Sequence, residues 1–278
     1  MSLVTYLGKQ ILGVLSAYRQ DDVVIHICGV YPQHDNRLRL FFPHGHALQQ
    51  GDLATIHLDN RTGVDEFDSS IRVYRASYKG RVQAVDGDWA VLEPRECMLL
   101  HGFTAVENLR EPGYDYPADP RPERPVPLST LASLPPIAGR DRENKVGVLI
   151  TLAPEQPHTT VLAFLSTEND DVFLITFPET FKSRQLKRNP HCFFVMDERA
   201  TFTFERAIEW NYTIIEGQAS LVPNGSTVFE EIRQAFIDKN PWEMPFFIRE
   251  DLEMYHIRCE RLLCPGRPAA QAKIADGR

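Results

Sequence analysis

The chain has 278 residues, of which 43% are hydrophobic and 24% charged, and it carries a formal net charge of −8 at pH 7. Such a chain is long enough for two globular domains, and its negative charge argues against nucleic acid as a partner, because phosphate binding requires a basic face. No apolar run reaches the roughly 20 residues that span a bilayer, so a membrane partner is not expected either.

The cysteines are dispersed and odd in number, and none forms a Cys-x-x-Cys pair. They are Cys28, Cys97, Cys192, Cys259 and Cys264. This distribution favours neither a disulfide framework nor a zinc site, and it predicts a reducing cytoplasmic location.

The first half of the chain is predicted to be a small domain covering residues 1–110. Residues 1–20 contain Lys9 within an apolar stretch and no cleavage site, which favours an amphipathic helix over a signal peptide. Short strand-like runs follow, several with alternating polarity, separated by Gly, Asp, Asn or Pro. The runs are residues 23–28, 37–42, 53–58, 71–75 and 89–93. Regular short strands of this kind predict a β-barrel or sandwich.

A proline-rich segment follows this half. Eight prolines lie between Pro112 and Pro136, where they remove backbone donors and bias their neighbours toward extended conformations. Residues 111–143 are therefore predicted to be a stiff linker between two domains.

The second half is predicted to be a compact α+β barrel domain of residues 144–265, so the whole chain is mainly β with some helix. Asp170 and Asp171 mark a hairpin turn, and Thr227 with Glu230 forms a capping box that begins a helix. The predicted strands are residues 146–151, 159–165, 172–177, 192–196, 200–204, 212–222 and 253–262. The tail, residues 266–278, is expected to be disordered.

One segment of this half, residues 173–190, has the layout of an anion site. An apolar strand leads into a turn rich in hydroxyls and cations, and a short helix follows that stops at Asn189. Thr176 and Thr180 supply hydroxyl donors, Lys182 supplies a positive charge, and the helix start supplies unpaired N–H groups. These groups suit a phosphate monoester. The alternative interpretation is a solvated basic turn that only caps the helix.

The order of motifs in this half resembles the FMN-binding split-barrel superfamily, which includes pyridoxamine 5′-phosphate oxidase. The resemblance covers residues 146–262. It is carried by Thr151, residues 157–160, the segment just described and residues 216–219. It implies a split β-barrel that binds FMN in a groove between two subunits of a homodimer.

The resemblance also implies roles for individual residues. Thr176, Thr180 and Lys182 would bind the FMN phosphate, with Ser183 and Arg184 near enough to assist. Thr160 and Val161, on the preceding strand, would lie beside the isoalloxazine ring. Trp210 and Tyr212 are candidates for the aromatic contribution of a partner subunit, and core packing explains them equally well. FAD, the deazaflavin F420 and haem are the alternative cofactors.

Two departures from the family pattern bear on the reaction. Residues 159–165 contain no arginine, and the family's C-terminal Arg-x-His-Asp-Arg-like substrate motif is replaced by a different sequence, residues 255–263. Oxidation of pyridoxamine phosphate is therefore not expected. The predicted function is electron transfer between bound FMN and a small-molecule substrate or reductant. The alternatives are a non-catalytic flavin- or haem-binding sensory or storage protein and an F420-dependent reductase.

A few further residues invite a functional interpretation. His158 precedes a strand and could meet the flavin edge, although a surface position is favoured. His44 and His46 lack nearby acidic or thiol partners, so they make a weak metal site. Cys97 and His101, four residues apart, could share one face of a helix.

Overall fold

The described part of the chain forms two antiparallel β-sheets of seven strands each, with three short α-helices and one 3-10 helix. The computed structural model describes residues 2–20, 22–61, 72–102, 104–116, 118–138, 146–197 and 212–263. The first sheet contains β1 (Ile11–Arg19), β2 (Asp22–Pro32), β3 (Leu38–Phe41), β4 (Leu53–Asp59), β5 (Tyr74–Asp86), β6 (Trp89–His101) and β7 (Thr104–Arg110). The second contains β8 (Val146–Thr151), β9 (His158–Ala163), β10 (Leu165–Ser166), β11 (Val172–Thr176), β12 (His191–Asp197), β13 (Tyr212–Leu221) and β14 (Glu253–Leu262). This architecture confirms the predicted mainly-β class.

The first sheet closes into a barrel of six strands. Its strand order is β3-β2-β1-β4-β5-β6-β7, and β3 also pairs with β6, which joins the two ends of the six-stranded part. The barrel interior is filled by inward-facing apolar side chains, including Leu15, Val30, Ile56 and Leu92. Closure leaves β1 through β6 with hydrogen-bonded neighbours, so the barrel has no free edge apart from the added β7.

The predicted amphipathic helix over residues 1–20 is wrong. Helix α1 covers only Leu3–Leu7 and ends at Gly8, whose φ is 80°. The following residues form β1, which pairs with β2 on one side and β4 on the other. A Cβ at Gly13 would lie 2.6 Å from side-chain atoms of both Ile56 and Val30. Close packing on this strand therefore requires glycine.

The long hairpin of β5 and β6 also differs from the prediction. Strand β6 continues through Cys97 to His101, so these two residues lie on a strand rather than on a helix. Strand β7, which pairs with the end of β6, was not predicted from the sequence. Its residues are mostly exposed, and only Val106 and Leu109 pack against the barrel core, so its apolar signal is weak.

The second sheet is a curled half-barrel with the order β10-β11-β14-β13-β12-β8-β9. Helix α2 (Phe181–Arg188) follows β11, and helix α3 (Thr227–Lys239) packs Phe229, Ile232 and Phe236 against the sheet. The cap of α3 is Ser226, whose Oγ accepts a hydrogen bond from the Phe229 N–H, so it lies one residue before the predicted Thr227. The 3-10 helix Pro241–Ile248 follows α3.

The two sheets share a hydrophobic core between their outer faces. Along β1, Leu15 points into the barrel while Leu12 and Val14 point out toward the half-barrel. Along β12, Phe194 points into the half-barrel while Phe193 meets the first sheet. Strands that are buried on both faces are apolar almost throughout, as these are. The halves therefore pack as a β-sandwich.

The proline-rich segment lies along the second half rather than spanning free space. The Arg124 N–H donates to the Lys187 carbonyl, and the Ser129 N–H donates to the Leu221 carbonyl. Further along, the Ala138 N–H donates to the Ser166 carbonyl. These bonds fix residues 118–138 as an extended strap on the half-barrel.

Some of the predicted features lie outside the described residues. They are Cys264, the strand over residues 200–204, Trp210 and the tail of residues 266–278. Among the helices of the described ranges, none is long and apolar enough to cross a membrane.

The shared core leads to a prediction about cooperativity. Phe193 is fully buried between the sheets. Its replacement by alanine should lower the unfolding free energy by about 3–5 kcal/mol. Calorimetry should show one transition for the wild type and a broadened or split transition for Phe193→Ala, because the contact between the halves is weakened. Phe236→Ala is the matched control, since Phe236 is equally buried but packs under α3. Phe236→Ala should lower the midpoint temperature of unfolding and keep a single transition. Transitions of identical shape in the two variants would contradict the view that Phe193 couples the unfolding of the two halves.

Candidate functional site

A cavity of about 620 Å³ lies between the two halves, beside their shared core. One wall comes from β4, β5, β6 and β7 of the barrel, and the opposite wall from β9, the end of β11, the start of α2 and the 3-10 helix. Its volume falls in the range of about 300–1,000 Å³ that is usual for small-molecule and cofactor sites. One chain therefore supplies both sides of a ligand-sized cavity.

Two threonine hydroxyls converge where β11 meets α2. Thr176, the last residue of β11, is 4% exposed, and its Oγ1 lies 2.9 Å from the Oγ1 of Thr180. Thr180 caps the helix by accepting a hydrogen bond from the Ser183 N–H, and it donates its own proton to the Phe177 carbonyl. The Thr176 hydroxyl thus donates to Thr180, and rotation about its C–O bond would direct that proton to a ligand. Both threonines line the cavity.

Lys182, the second residue of α2, lines the same part of the cavity. Burial and, to a smaller extent, the neighbouring Arg75 guanidinium lower the pKa of its ammonium group to about 8, against the opposing effect of Glu179. Lys182 makes no ion pair of 4.0 Å or less within the described part of the chain. An anion in the cavity would supply the counter-charge that this desolvated cation lacks.

The barrel contributes its own polar residues to the opposite wall. Arg75, Ser77 and Lys79 alternate along β5, so their side chains share one face, and all three line the cavity. The Ser77 Oγ lies 3.1 Å from the Thr159 Oγ1 on β9, which ties the two walls together. Lys79 forms an ion pair with Glu96.

Glu96 is held ionised by two cations. Burial raises its pKa, but ion pairs with Lys79 and with Arg110 at 3.1 Å more than offset burial, so the net pKa is lowered. Since Lys79 already has this carboxylate partner, its charge is largely compensated within the protein. Lys182 and Arg75 make no ion pair of 4.0 Å or less within the described residues, and carboxylates act on them only from farther away: Glu179 on Lys182, and Asp59 and Glu243 on Arg75.

His158 also faces the cavity, so the expectation of a surface histidine is wrong. It is half-buried, and its ring meets Phe181 edge-on at 4.7 Å between centroids. Its Nδ1 is buried and has no hydrogen-bond partner among the described residues. Burial lowers the His158 pKa to about 3, with further contributions from Lys79 and Lys182. The imidazole is therefore neutral at physiological pH.

The remainder of the lining is mostly apolar. From β9 and β11 it includes Val161, Leu162 and Ile175, and from β6 it includes Met98 and Leu100. Phe177, Phe246 and Leu252 extend the apolar surface on the side of the half-barrel. Strand β9 is the terminal strand of its sheet, so alternate backbone groups on its free side are available to a ligand.

The structure brings together five of the residues that the sequence singled out for cofactor binding. They are Thr160, Val161, Thr176, Thr180 and Lys182, and all of them line the cavity.

The other candidates lie elsewhere. The Ser183 Oγ donates to Glu253 and lies 3.2 Å from the Tyr255 hydroxyl, on the side of α2 away from the cavity. Arg184 donates to Glu123 at the surface. Successive residues of an α-helix are rotated by about 100° around its axis, so Ser183 and Arg184 project from other sides of α2 than Lys182 does. Tyr212 packs in the core shared by the two sheets, and Trp210 lies outside the described residues.

Sequence reasoning missed the contribution of the first half. Arg75, Ser77, Lys79 and Glu96 lie far in the sequence from residues 173–190, and only the packing of the halves brings them to the same cavity. One signal was present in the sequence. Arg75, Ser77 and Lys79 make one face of β5 polar at a point where the strand is still half-buried.

Comparisons with known proteins give similar folds over about half of the chain. No protein-family model and no curated protein matches the sequence. Similar solved structures include HutZ, a heme storage protein of Vibrio cholerae, with 17% identity, a TM-score of 0.38, and coverage of 44% of this chain and 87% of that one. An FAD-binding protein of Mesorhizobium loti has 16% identity and a TM-score of 0.34, and the match covers 43% of this chain and 82% of that one. A candidate pyridoxamine 5′-phosphate oxidase of Listeria innocua has 20% identity and a TM-score of 0.31, and the match covers 46% of this chain and 90% of that one.

The shifted titration of Lys182 can be measured through stability. Its pKa is about 8 in the folded protein against 10.5 for the ordinary side chain, so between these values the unfolded chain binds more protons. The unfolding free energy of the wild type should therefore rise with pH across this interval, relative to Lys182→Met, which has no such group. Denaturant unfolding at about pH 7 and about pH 10 measures the difference. A parallel pH dependence of the two proteins would contradict the lowered pKa.

Proposed function

We propose that the cavity binds FMN and that the protein is a flavin-dependent oxidoreductase acting on a small-molecule substrate or reductant. The observation that carries this proposal is the convergence of Thr176, Thr180 and Lys182 at one end of a largely apolar cavity. A phosphorylated ring system needs this combination of a compact anion site and an extended apolar surface.

The residues present fit such a ligand. Two hydroxyls, the N-terminal N–H groups of α2 and the Lys182 ammonium group offer donors and positive charge to a phosphate monoester. Val161 and Leu162 on one wall and Met98 and Leu100 on the other offer apolar surface to a planar ring. The free side of β9 offers backbone hydrogen bonds to the polar edge of that ring.

Bound FMN would supply the redox chemistry, accepting and donating two electrons as a hydride equivalent. The chain's own residues bind and orient the ligand at both ends of the cavity. The apolar walls limit water access to the ring. His158, neutral because its pKa is about 3, offers a hydrogen bond without adding charge. Neither a nucleophile nor an acid–base pair is required of the protein.

The setting and assembly of the protein belong to the same proposal. A homodimer with flavin at the subunit interface stays a prediction of the family resemblance, and the cavity described above is walled by two halves of a single chain. A reducing cytoplasm is proposed from the dispersed cysteines. Cys28, Cys97, Cys192 and Cys259 are free thiols.

A second candidate function is haem binding. Two histidines, His57 and His158, line the cavity, and the His158 imidazole is neutral, as a ligand of haem iron must be. The heme storage protein of Vibrio cholerae is among the similar structures. The phosphate-binding residues favour FMN, because haem carries carboxylates and no phosphate ester.

The visible spectrum of the freshly purified protein separates these functions. FMN gives flavin absorption bands that bleach with dithionite or reduced nicotinamide, whereas haem gives a Soret band. Mass spectrometry of the released ligand distinguishes FMN from FAD and F420. A colourless protein that cannot be reconstituted with FMN would reject the proposal, and retained flavin without turnover of any reductant would favour a sensory or storage role.

Removal of the anion site tests its role directly. A triple variant with Thr176→Ala, Thr180→Ala and Lys182→Glu should lose FMN affinity by at least about a hundredfold, because it removes charge-assisted hydrogen bonds and reverses a charge. Arg184→Glu is the matched control. It makes the same charge change on the same helix, outside the cavity, and should keep its affinity. Fluorescence titration with FMN measures both, and retention of affinity by the triple variant would refute the site.

The affinity for FMN should also depend on pH in a defined way. The phosphate monoester is a dianion above about pH 6, and Lys182 is a cation below about pH 8, so affinity should be greatest between these values. Above about pH 8 it should fall by up to about tenfold per unit as Lys182 loses its proton. Titration of Lys182→Met should show weaker binding without the alkaline decline. Lys187→Met should retain the decline, because Lys187 pairs with Glu253 outside the cavity.

A further inference from the structure

We propose that Arg75, from the N-terminal barrel, is an additional ligand of the FMN phosphate. Both halves of a single chain would then bind this phosphate. The inference rests on the proposed function and deepens it. It assigns a binding role to the first half of the chain, to which sequence analysis gave none.

The position of Arg75 follows from the barrel. Arg75 pairs with Asp59 across β4 and β5, and it lies on the same face of β5 as Ser77, whose Oγ lies 3.1 Å from Thr159 on β9. This contact holds β5 against β9 of the half-barrel, and both of its residues line the cavity. Both Arg75 and Lys182 line the cavity, although they come from different sheets.

The hydrogen bonds of Arg75 leave donors for a ligand. Within the described residues its guanidinium group makes one hydrogen bond, to the Gly102 carbonyl at 3.3 Å, near the long end of the usual range. The nearby carboxylate of Asp59 is fully buried and is engaged by Arg61 at 2.5 Å. A guanidinium group has five N–H donors in a fixed fork that matches phosphate oxygens, so most of them stay available.

The charges around the cavity also support phosphate binding by Arg75. Burial lowers the pKa of both Arg75 and Lys182, and a neighbouring like charge lowers each further: Arg61 acts on Arg75, and Arg75 acts on Lys182. Asp59 and, to a smaller extent, Glu243 oppose the lowering of the pKa at Arg75, and Glu179 opposes it at Lys182. Asp59 is already paired with Arg61, and burial raises the pKa of Glu243, so these carboxylates compensate only part of the positive charge. Two desolvated cations facing one cavity from opposite walls match a dianionic ligand between them.

The geometry also has a consequence for assembly. A phosphate held by β11, α2 and β5 bridges the two halves of one chain, so ligand binding should strengthen their contact. Riboflavin, which has the same ring without the phosphate, would lack this bridge. Comparison of the two ligands therefore isolates the role of Arg75 from that of the ring-binding surface.

The experiment measures the affinities of FMN and riboflavin for the wild type, Arg75→Ala and Arg81→Ala. We expect Arg75→Ala to weaken FMN binding by about tenfold to a hundredfold and to leave riboflavin binding unchanged, because one charge-assisted phosphate contact is lost. Arg81 lies on the same strand, is exposed and does not line the cavity, so Arg81→Ala should bind both ligands like the wild type. Arg75→Lys should recover part of the FMN affinity, since it restores the charge but not the fork.

Three results would overturn the inference. An equal loss for FMN and riboflavin in Arg75→Ala would show that Arg75 shapes the cavity rather than binding phosphate. Unchanged FMN affinity would show that Arg75 does not touch the ligand.

If the wild type binds neither flavin, the proposed function fails, and the thermal shift with inorganic pyrophosphate then tests Arg75 by itself. A shift that is smaller in Arg75→Ala than in Arg81→Ala supports its anion-binding role, and equal shifts refute it.

Discussion

The contact between the outer faces of the two sheets is the constraint on which the rest of this structure depends. Strands β1 and β2 of the barrel and β8, β12 and β13 of the half-barrel bury apolar side chains against each other, with Phe193 and Val195 on one side and Leu12 and Val14 on the other. This burial is large and non-directional, and the strand pairing gives it a fixed orientation. It sets β5 opposite β9, and the cavity exists because these two strands face each other beside the shared core.

The electrostatic interactions in the ligand-free cavity are unfavourable, and the apolar packing of the two sheets offsets them. Lys182 and Arg75 are each desolvated and each faces a like charge, which raises the free energy of the ligand-free protein. Lys79 shows the contrast, because its neighbour Glu96 compensates it within the protein. Groups kept in an unfavourable electrostatic state by a rigid scaffold are typical of binding sites. An anionic ligand between the two cations would relieve that state.

The local elements around the site could be predicted from the sequence because short-range interactions determine them. The helix Phe181–Arg188 has its hydroxyl cap at Thr180 and its end at Asn189 within ten residues, and strand β14 has the bounds that were predicted for it. The N-terminal residues were misjudged for the opposite reason. Residues 11–19 are apolar on both faces, and an apolar run of that kind does not distinguish a helix from a strand that two sheets bury from both sides. His158 was misjudged for a related reason. In the sequence it stands at the start of a strand, where surface residues are common, and it becomes enclosed only because the barrel packs opposite it.

The sequence by itself determined the β-rich class, the hydroxyl-capped helix after β11 and five of the residues that line the cavity, since each of these is encoded by a local pattern of polarity, hydroxyls and charge. The tertiary structure alone decided that Ser183 and Arg184 point away, that the proline-rich segment is a strap, and that Arg75 and Lys79 reach the cavity. The physical reason is that residues about a hundred positions apart are brought together by the packing of two sheets. That packing depends on which face of each strand is turned toward the other half.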